Sequence, residues 1–251
     1  MRRNRSDLGD AAKERVRRLL ERRGYVMNQL YPRDMLPKTR AVVEHVRPFT
    51  MTSTDALAAL CAAVEHLVQR EIEGSIVECG VWRGGSMMAV ARTLLDMGVD
   101  DRDLYLFDTF EGMVPPTEHD VRVLDGLSAA RPESLTPAIA VSQDEVAAAL
   151  RSTGYPSSRI HLIRGPVEET LPSGGGPESI ALLRLDTDWY ESTRLELEYL
   201  YPLVQSNGFL IIDDYGHWAG AKKAVDEYLE QHAPKLYLHR VDYTVRMTVK
   251  P

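Results

Sequence analysis

The stretch Ser75 to Ser86, SIVECGVWRGGS, constrains this chain more than any other. Ile76 and Val77 run into Glu78, then Gly80, Gly84 and Gly85 follow, and an apolar pattern at helical spacing begins after them. This reads as a buried first strand, a glycine-bearing turn and the start of a helix. Glycine lets a backbone approach a ligand closely and takes dihedrals that side chains forbid. In open α/β sheets, ligands occupy the crevice beyond the carboxyl ends of the strands. A glycine turn alone suits a dinucleotide, a nucleoside or no ligand at all.

Two further landmarks narrow the choice. In LYLFDTFEGM, residues 104–113, an apolar strand from Leu104 to Phe107 ends in Asp108. A carboxylate there accepts from ribose hydroxyls in Rossmann-like sites; the alternative is a turn aspartate. The second landmark is a set of four acids. Leu182–Leu185 leads into Asp186 and Asp188, and Gly208–Ile212 leads into Asp213 and Asp214. Two parallel strands then deliver acids to the edge that carries the glycine turn. Like charges that close repel unless something positive sits between them. A hard divalent cation such as Mg²⁺, with oxygen ligands, is the natural neutraliser.

The segments VECGVWRGGS, LFDTFEGM, RGPVEETLP, LRLDTDWYEST and GFLIIDDYGHWAGAKKAVDEYL, spread from about Thr50 to Tyr228, carry a resemblance. The chain resembles the macrocin O-methyltransferase (TylF-type) family. The resemblance implies a class I, S-adenosylmethionine-dependent and metal-dependent enzyme that methylates hydroxyls of antibiotic sugars and related natural products. It implies a Rossmann-like α/β fold: a mostly parallel sheet with helices on both faces and a C-terminal antiparallel hairpin. It implies Asp186, Asp213 and Asp214 as ligands of Mg²⁺ or another divalent cation, and Asp188 as general base beside Asp186. The donor site expected from the motifs comprises Glu78, Gly80, Gly84, Ser86, Asp108 and Gly165, with Thr50 and Met51 near the methionine end.

At 251 residues, one α/β domain with a sizeable core is expected. The net charge of −7 disfavours nucleic acid as a partner. No apolar run is long enough to span a membrane, and Met1-Arg2-Arg3 leads into no apolar stretch of the kind a signal peptide needs. Cys61 and Cys79 sit in apolar contexts and read as buried, reduced thiols, hence a cytoplasmic enzyme. Residues 1–23 are basic, with nine Arg or Lys against four Asp or Glu. Leu8, Ala12, Val16, Leu19 and Leu20 recur there at helical spacing, which suggests an amphipathic arm on the acidic body or on a neighbouring subunit. Residues 25–49, with prolines at 32, 37 and 48, read as irregular. Residues 1–49 are thus an extension, which in the family helps close the active site or build a dimer; a homo-oligomer is expected.

A helix is expected from about Thr54 to Arg70, capped by Ser53 or Thr54. Trp82 and Arg83 enlarge the glycine turn beyond a tight phosphate loop, which favours a sulfonium nucleoside over a dinucleotide. Glu78 agrees, since it can accept from an α-amino group and would repel a pyrophosphate; its structural alternative is a salt bridge to Arg83 or a nearby lysine. Residues 114–142, with prolines at 115, 116, 132 and 137, are long enough for an active-site lid. His119 and Asp120 are its polar groups best able to touch a substrate, with solvation as their commoner fate. Helices are expected over 143–153, 191–203 and 218–229. Strands are expected at 160–163, 180–186 and 208–213, and an antiparallel pair at 236–240 and 243–249.

A sugar hydroxyl is too weak an acid to ionise unaided near neutral pH, so a cation and a carboxylate base answer the need. His217 is the rival base. The acceptor is expected to be a small-molecule glycoside; a phenol or catechol is the alternative, and a donor- and metal-binding protein without transfer activity is the third reading.

Overall fold

The computed structural model describes residues 15–16, 18–20, 22–23, 30–128 and 140–251. The chain divides into two units, residues 1–35 and Leu36–Pro251. In the first, residues 15–16 and 18–20 are helical, with Val16 and Leu19 exposed; Leu8 and Ala12 of the expected arm lie outside the described residues. The second unit, Leu36–Pro251, holds the sheet and the helices that cover it.

Helix α1, Pro37–Val46, occupies a stretch expected to be irregular. Its prolines punctuate it instead of breaking it. Pro37 sits in the first turn, where no N–H is needed, and Pro48 follows the last turn. Val42, Val43 and Val46 face the core. After a 3₁₀ turn at Arg47–Phe49, α2 runs Thr54–Gln69 and is capped by Ser53, whose Oγ accepts from Ala56 N at 3.1 Å.

The central sheet begins with β1, Ser75–Cys79, whose last four residues are buried, as a strand covered on both faces demands. Then come α3 (Gly85–Asp96), β2 (Leu104–Asp108), α4 (Gln143–Arg151), β3 (Ile160–Arg164) and α5 (Val167–Ser173). The second half is β4 (Ile180–Leu185), α6 (Tyr190–Leu200), β5 (Val204–Ile212), α7 (Ala219–His232), β6 (His239–Arg240) and β7 (Arg246–Val249). The seven strands lie in the order β3-β2-β1-β4-β5-β7-β6. β1 to β5 are parallel, and β7 is antiparallel to both β5 and β6. The expected C-terminal hairpin is therefore present, with shorter strands than the sequence suggested. Asp242 shapes its turn by accepting from Thr244 N and Val245 N, both at 2.8 Å.

Helices α1, α2 and α3 pack together, and α5, α6 and α7 form a second group. Val77, Leu183, Leu185, Leu210 and Ile212 are buried to 2% exposure or less within the sheet. Each such side chain contributes roughly 1.5–3 kcal/mol by leaving water. Cys61 and Cys79 are free and buried, and burial pushes the Cys61 thiol up to about 11. Among the described residues no helix is long and apolar enough to cross a membrane.

The chain winds outward in one direction through β1, β2 and β3 and in the other through β4 and β5. The crevice between β1 and β4 is the topological switch point, where such sheets hold ligands.

Candidate active site

An open-mouthed cleft with a cavity volume of about 170 Å³ lies over that switch point, lined among others by Met51, Gly80, Trp82, Asp108, Gly165 and Asp188. Its floor is set by how β1 and β4 end. Asp186 N donates to Cys79 O at 2.8 Å, which draws the two strand ends together. Gly80 has φ 81°, and a Cβ there would collide with the backbone of Asp186. Glycine is therefore demanded first by the neighbouring strand and only then by any ligand. Gly84 caps α3 at φ 84°.

Asp108 closes the glycine turn. Its Oδ2 accepts from Val81 N (2.6 Å) and Trp82 N (3.1 Å), and its Oδ1 from Phe110 N (2.8 Å). It is a turn aspartate, yet it also lines the cleft, where the remaining lone pairs of its two oxygens can face a ligand. Gly165 (φ 136°) and Met51 line the same cleft, and Met51 is 75% exposed. Of the expected donor-site residues, Glu78, Gly84, Ser86 and Thr50 are not among those lining the cleft.

Among the described residues Glu78 meets neither Arg83 nor a lysine. Its Oε1 accepts from Arg184 Nη1 at 2.6 Å, and its Oε2 is buried with no partner. Burial pushes its carboxyl up to about 8; Arg184 pulls it down, and the charges of Asp186 and Asp108 push it further up. Ser86 Oγ lies 3.4 Å from Thr52 Oγ1, which accepts from Thr50 Oγ1 at 2.9 Å.

The four aspartates separate. Asp186, Asp188 and Asp214 converge, with one oxygen of each within 4.8 Å of the others. Asp188 joins by way of a left-handed backbone, φ 69°, a conformation that aspartate tolerates better than most residues. Asp213 does not join. It is bonded to Arg184, as divergent neighbours at a strand end allow. Burial, then the charge of Asp186, pushes Asp188 up to about 6, opposed by hydrogen bonds from Asp214 and Trp218. Burial and the charges of Asp188 and Asp186 hold Asp214 well above the usual range. Among the described residues no donor reaches the buried Asp214 Oδ2; a proton shared between carboxyls, a bound water or a cation can satisfy it. An all-oxygen donor set with an orphaned oxygen suits a hard divalent cation.

His217 is held aside. Its Nδ1 lies 2.5 Å from Tyr243 Oη, and its ring packs edge-on against Trp218. Asp120, expected to be solvated, is fully buried. It accepts from Thr117 N, from Thr117 Oγ1 and, at 2.9 Å, from Tyr190 N at the start of α6. His119 packs against Tyr190 instead, ring centroids 4.8 Å apart. Residues 129–139 of the expected lid lie outside the described residues.

Sequence reasoning missed Arg184 and Glu196. Arg184 is 2% exposed, and although burial opposes its charge, Asp186 and Glu78 hold its proton firmly. A lone arginine inside the apolar run IALLRL was the available signal. Glu196 is wholly buried, and Thr187 Oγ1 donates to its Oε1 at 2.9 Å. Burial holds its carboxyl well above the usual range.

A seven-stranded sheet in this order, with one antiparallel strand and a cleft over the first glycine turn, defines a class I methyltransferase fold, whose methyl donor is S-adenosylmethionine. Residues 15–248 match the family model for macrocin O-methyltransferase (TylF). The chain is similar to the demethyldecarbamoylnovobiocin O-methyltransferase of Streptomyces niveus, at 34% identity over 71% of this chain and 67% of that one. It is also similar to an 8-demethyl-8-(2,3-dimethoxy-α-L-rhamnosyl)-tetracenomycin-C 4′-O-methyltransferase of Streptomyces olivaceus, at 33% identity over 78% and 73%. Among solved structures it resembles the O-methyltransferase NovP, with TM-score 0.70 and 30% identity over 80% of this chain and 82% of that one. CalS11, a calicheamicin methyltransferase, shares the fold with TM-score 0.61 at 21% identity over 90% and 95%. The chain belongs to the macrocin O-methyltransferase family and is an S-adenosylmethionine-dependent O-methyltransferase.

Proposed function

We propose that this enzyme methylates a hydroxyl on the sugar of a natural-product glycoside, with a divalent cation, Mg²⁺ by preference, held at the acid cluster. The acceptor class is supported by the Streptomyces olivaceus relative, whose name specifies a rhamnosyl-bearing tetracenomycin methylated at a 4′ oxygen. The observation that carries the cation is the buried, partnerless Asp214 Oδ2 beside Asp186 and Asp188.

Asp108, Gly165 and Met51 face the donor in the cleft, and Glu78, on giving up its proton, offers Oε2 as an acceptor for its ammonium. Asp186 and Asp214 would hold the cation, which when bound lowers the pKa of the acceptor hydroxyl and orients it. Asp213 acts through its bond to Arg184. Asp188, raised toward neutrality, is matched to proton transfer near pH 6–7. It takes the hydroxyl proton as the sugar oxygen bonds to the methyl carbon and the donor sulfur keeps the electrons of the broken bond. The aromatic rings of Trp189 and Trp218, with centroids 5.2 Å apart, wall the cluster and help exclude water.

Incubating the enzyme with S-adenosylmethionine and a panel of glycosides and phenols, with Mg²⁺ or with chelator, tests this reading. A glycoside gaining one methyl only when the cation is present is the expected outcome. Cation-independent methylation, or methylation confined to phenols, contradicts it.

A further inference from the structure

Four segments that build the two ends of the cleft meet on one guanidinium. Arg184 Nη1 donates to Glu78 Oε1 and to Asp186 Oδ2, each at 2.6 Å. Its Nη2 donates to Thr52 Oγ1 at 3.0 Å and to Asp213. Glu78 belongs to β1 and stands directly opposite Arg184 in the β1–β4 register. Asp186 comes directly after β4, Asp213 directly after β5, and Thr52 lies just ahead of α2.

We propose that Arg184 is a positioning residue tying the donor end of the site to the cation end, so that donor and divalent cation each bind more tightly when the other is present. This rests on the proposed function, in which Arg184 touches no reacting atom.

On the donor side, Arg184 occupies Glu78 Oε1 and leaves the buried Oε2 as the free acceptor. Through Thr52 it also fixes the segment that carries Met51 to the cleft. The Thr52 hydroxyl bonds to Thr50 as well, and Arg47 Nη1 holds the Thr52 carbonyl at 3.0 Å. On the cation side, it holds Asp186 of the acid cluster and Asp213, the chain neighbour of Asp214. A guanidinium presents its N–H groups in a fixed plane, so a shift toward one partner changes its bonds to the rest. A divalent charge at Asp186 repels Arg184, which then leans on Glu78 and Thr52 and fixes them for the donor. By linkage, the donor strengthens cation binding by the same factor.

Calorimetric titration of the full chain with S-adenosylhomocysteine, in saturating Mn²⁺ and in chelator, measures the coupling. Wild type is expected to bind the nucleoside at least about fivefold tighter with the cation. Arg184→Lys keeps a charge but cannot span both ends, and its ratio is expected to fall to near one. Thr52→Val removes one of the bonds of Arg184 and no charge, along with the contacts of that hydroxyl to Thr50 and Ser86; it covers the case in which the lysine variant fails to fold, and it is expected to lower the ratio partway. A wild-type ratio near one, with nucleoside and cation both bound, overturns the proposal and leaves the functional reading standing. A ratio unchanged in the variants that fold overturns it likewise. Failure of wild type to bind either molecule removes the reading and the proposal together.

Discussion

Asp188 and Asp214 share a half-buried corner, and their roles separate by what each can bond. Asp188 is hydrogen-bonded by Trp218, whereas Asp214 keeps an oxygen that no donor reaches. Asp188→Asn is therefore expected to keep S-adenosylhomocysteine affinity and lose about 10²–10⁴ in turnover, the usual worth of a positioned base. Paired calorimetry and initial rates check it. Asp214→Asn should lose cation affinity along with activity, read by calorimetric Mn²⁺ titration. At Gly80 the strain is structural: Gly80→Ala should lower the melting temperature as well as donor binding, because the Cβ meets the Asp186 backbone. At this scale much was legible. Gly80, Asp108, Gly165 and the acids each end or follow a strand, so the alternation of apolar runs and breakers announces them. The partners of the acids were not legible. Which of Asp213 and Asp214 turns toward Asp186 depends on a single turn after β5. Glu78 finding Arg184, 106 residues away in sequence, depends on strand register.

At the scale of elements, residues 114–128 are sewn to the helices that succeed the acid loops. Asp120 accepts from Tyr190 N at the start of α6, and Val121 O accepts from Ala219 N at the start of α7 at 2.8 Å. Trp189 Nε1 donates to Val114 O at 2.8 Å. This part of the expected lid is thus a fixed wall that satisfies the orphan donors of two helix starts. Asp120→Ala should cost about 1–3 kcal/mol, as loss of a buried acceptor does, and should raise KM for the acceptor more than for the donor. Chemical denaturation and steady-state kinetics read the two effects. The capping was hidden because Asp120 looks like any polar loop residue until the tertiary contact is known. Helix α1 was hidden by its bordering prolines. β5 begins at Val204, four residues before the apolar run, because exposed Gln205, Ser206 and Asn207 continue the strand outside the core. Elements with an apolar period, such as β1, β4 and α2, were legible within a residue or two.

For the whole molecule, the raised carboxyls have a consequence for stability. The folded protein holds protons on Asp188, Asp214, Glu78 and Glu196 that the unfolded chain releases near its ordinary carboxylate values. The unfolded state then binds fewer protons, so stability falls as pH rises from about 4 through the folded values, about 6 for Asp188 and about 8 for Glu78. A divalent cation at the cluster replaces those protons, and its benefit should grow over the same interval. Thermal melts of the cation-free protein at pH 5 and pH 8, with and without Mg²⁺, should show a lower midpoint at pH 8. There Mg²⁺ should restore a few degrees, on the scale of about 2–4 °C per kcal/mol, and much less at pH 5. Equal cation effects at both pH values would place the ion elsewhere.

The presence of a cation among Asp186, Asp188 and Asp214 is tested most directly by anomalous diffraction from crystals grown with Mn²⁺ and S-adenosylhomocysteine. The predicted result is a manganese peak within about 2.1 Å of oxygens of Asp186 and Asp214, with the nucleoside in the cleft beside Gly80. A bound nucleoside with no peak at those aspartates, or manganese found only at other carboxylates, would contradict it.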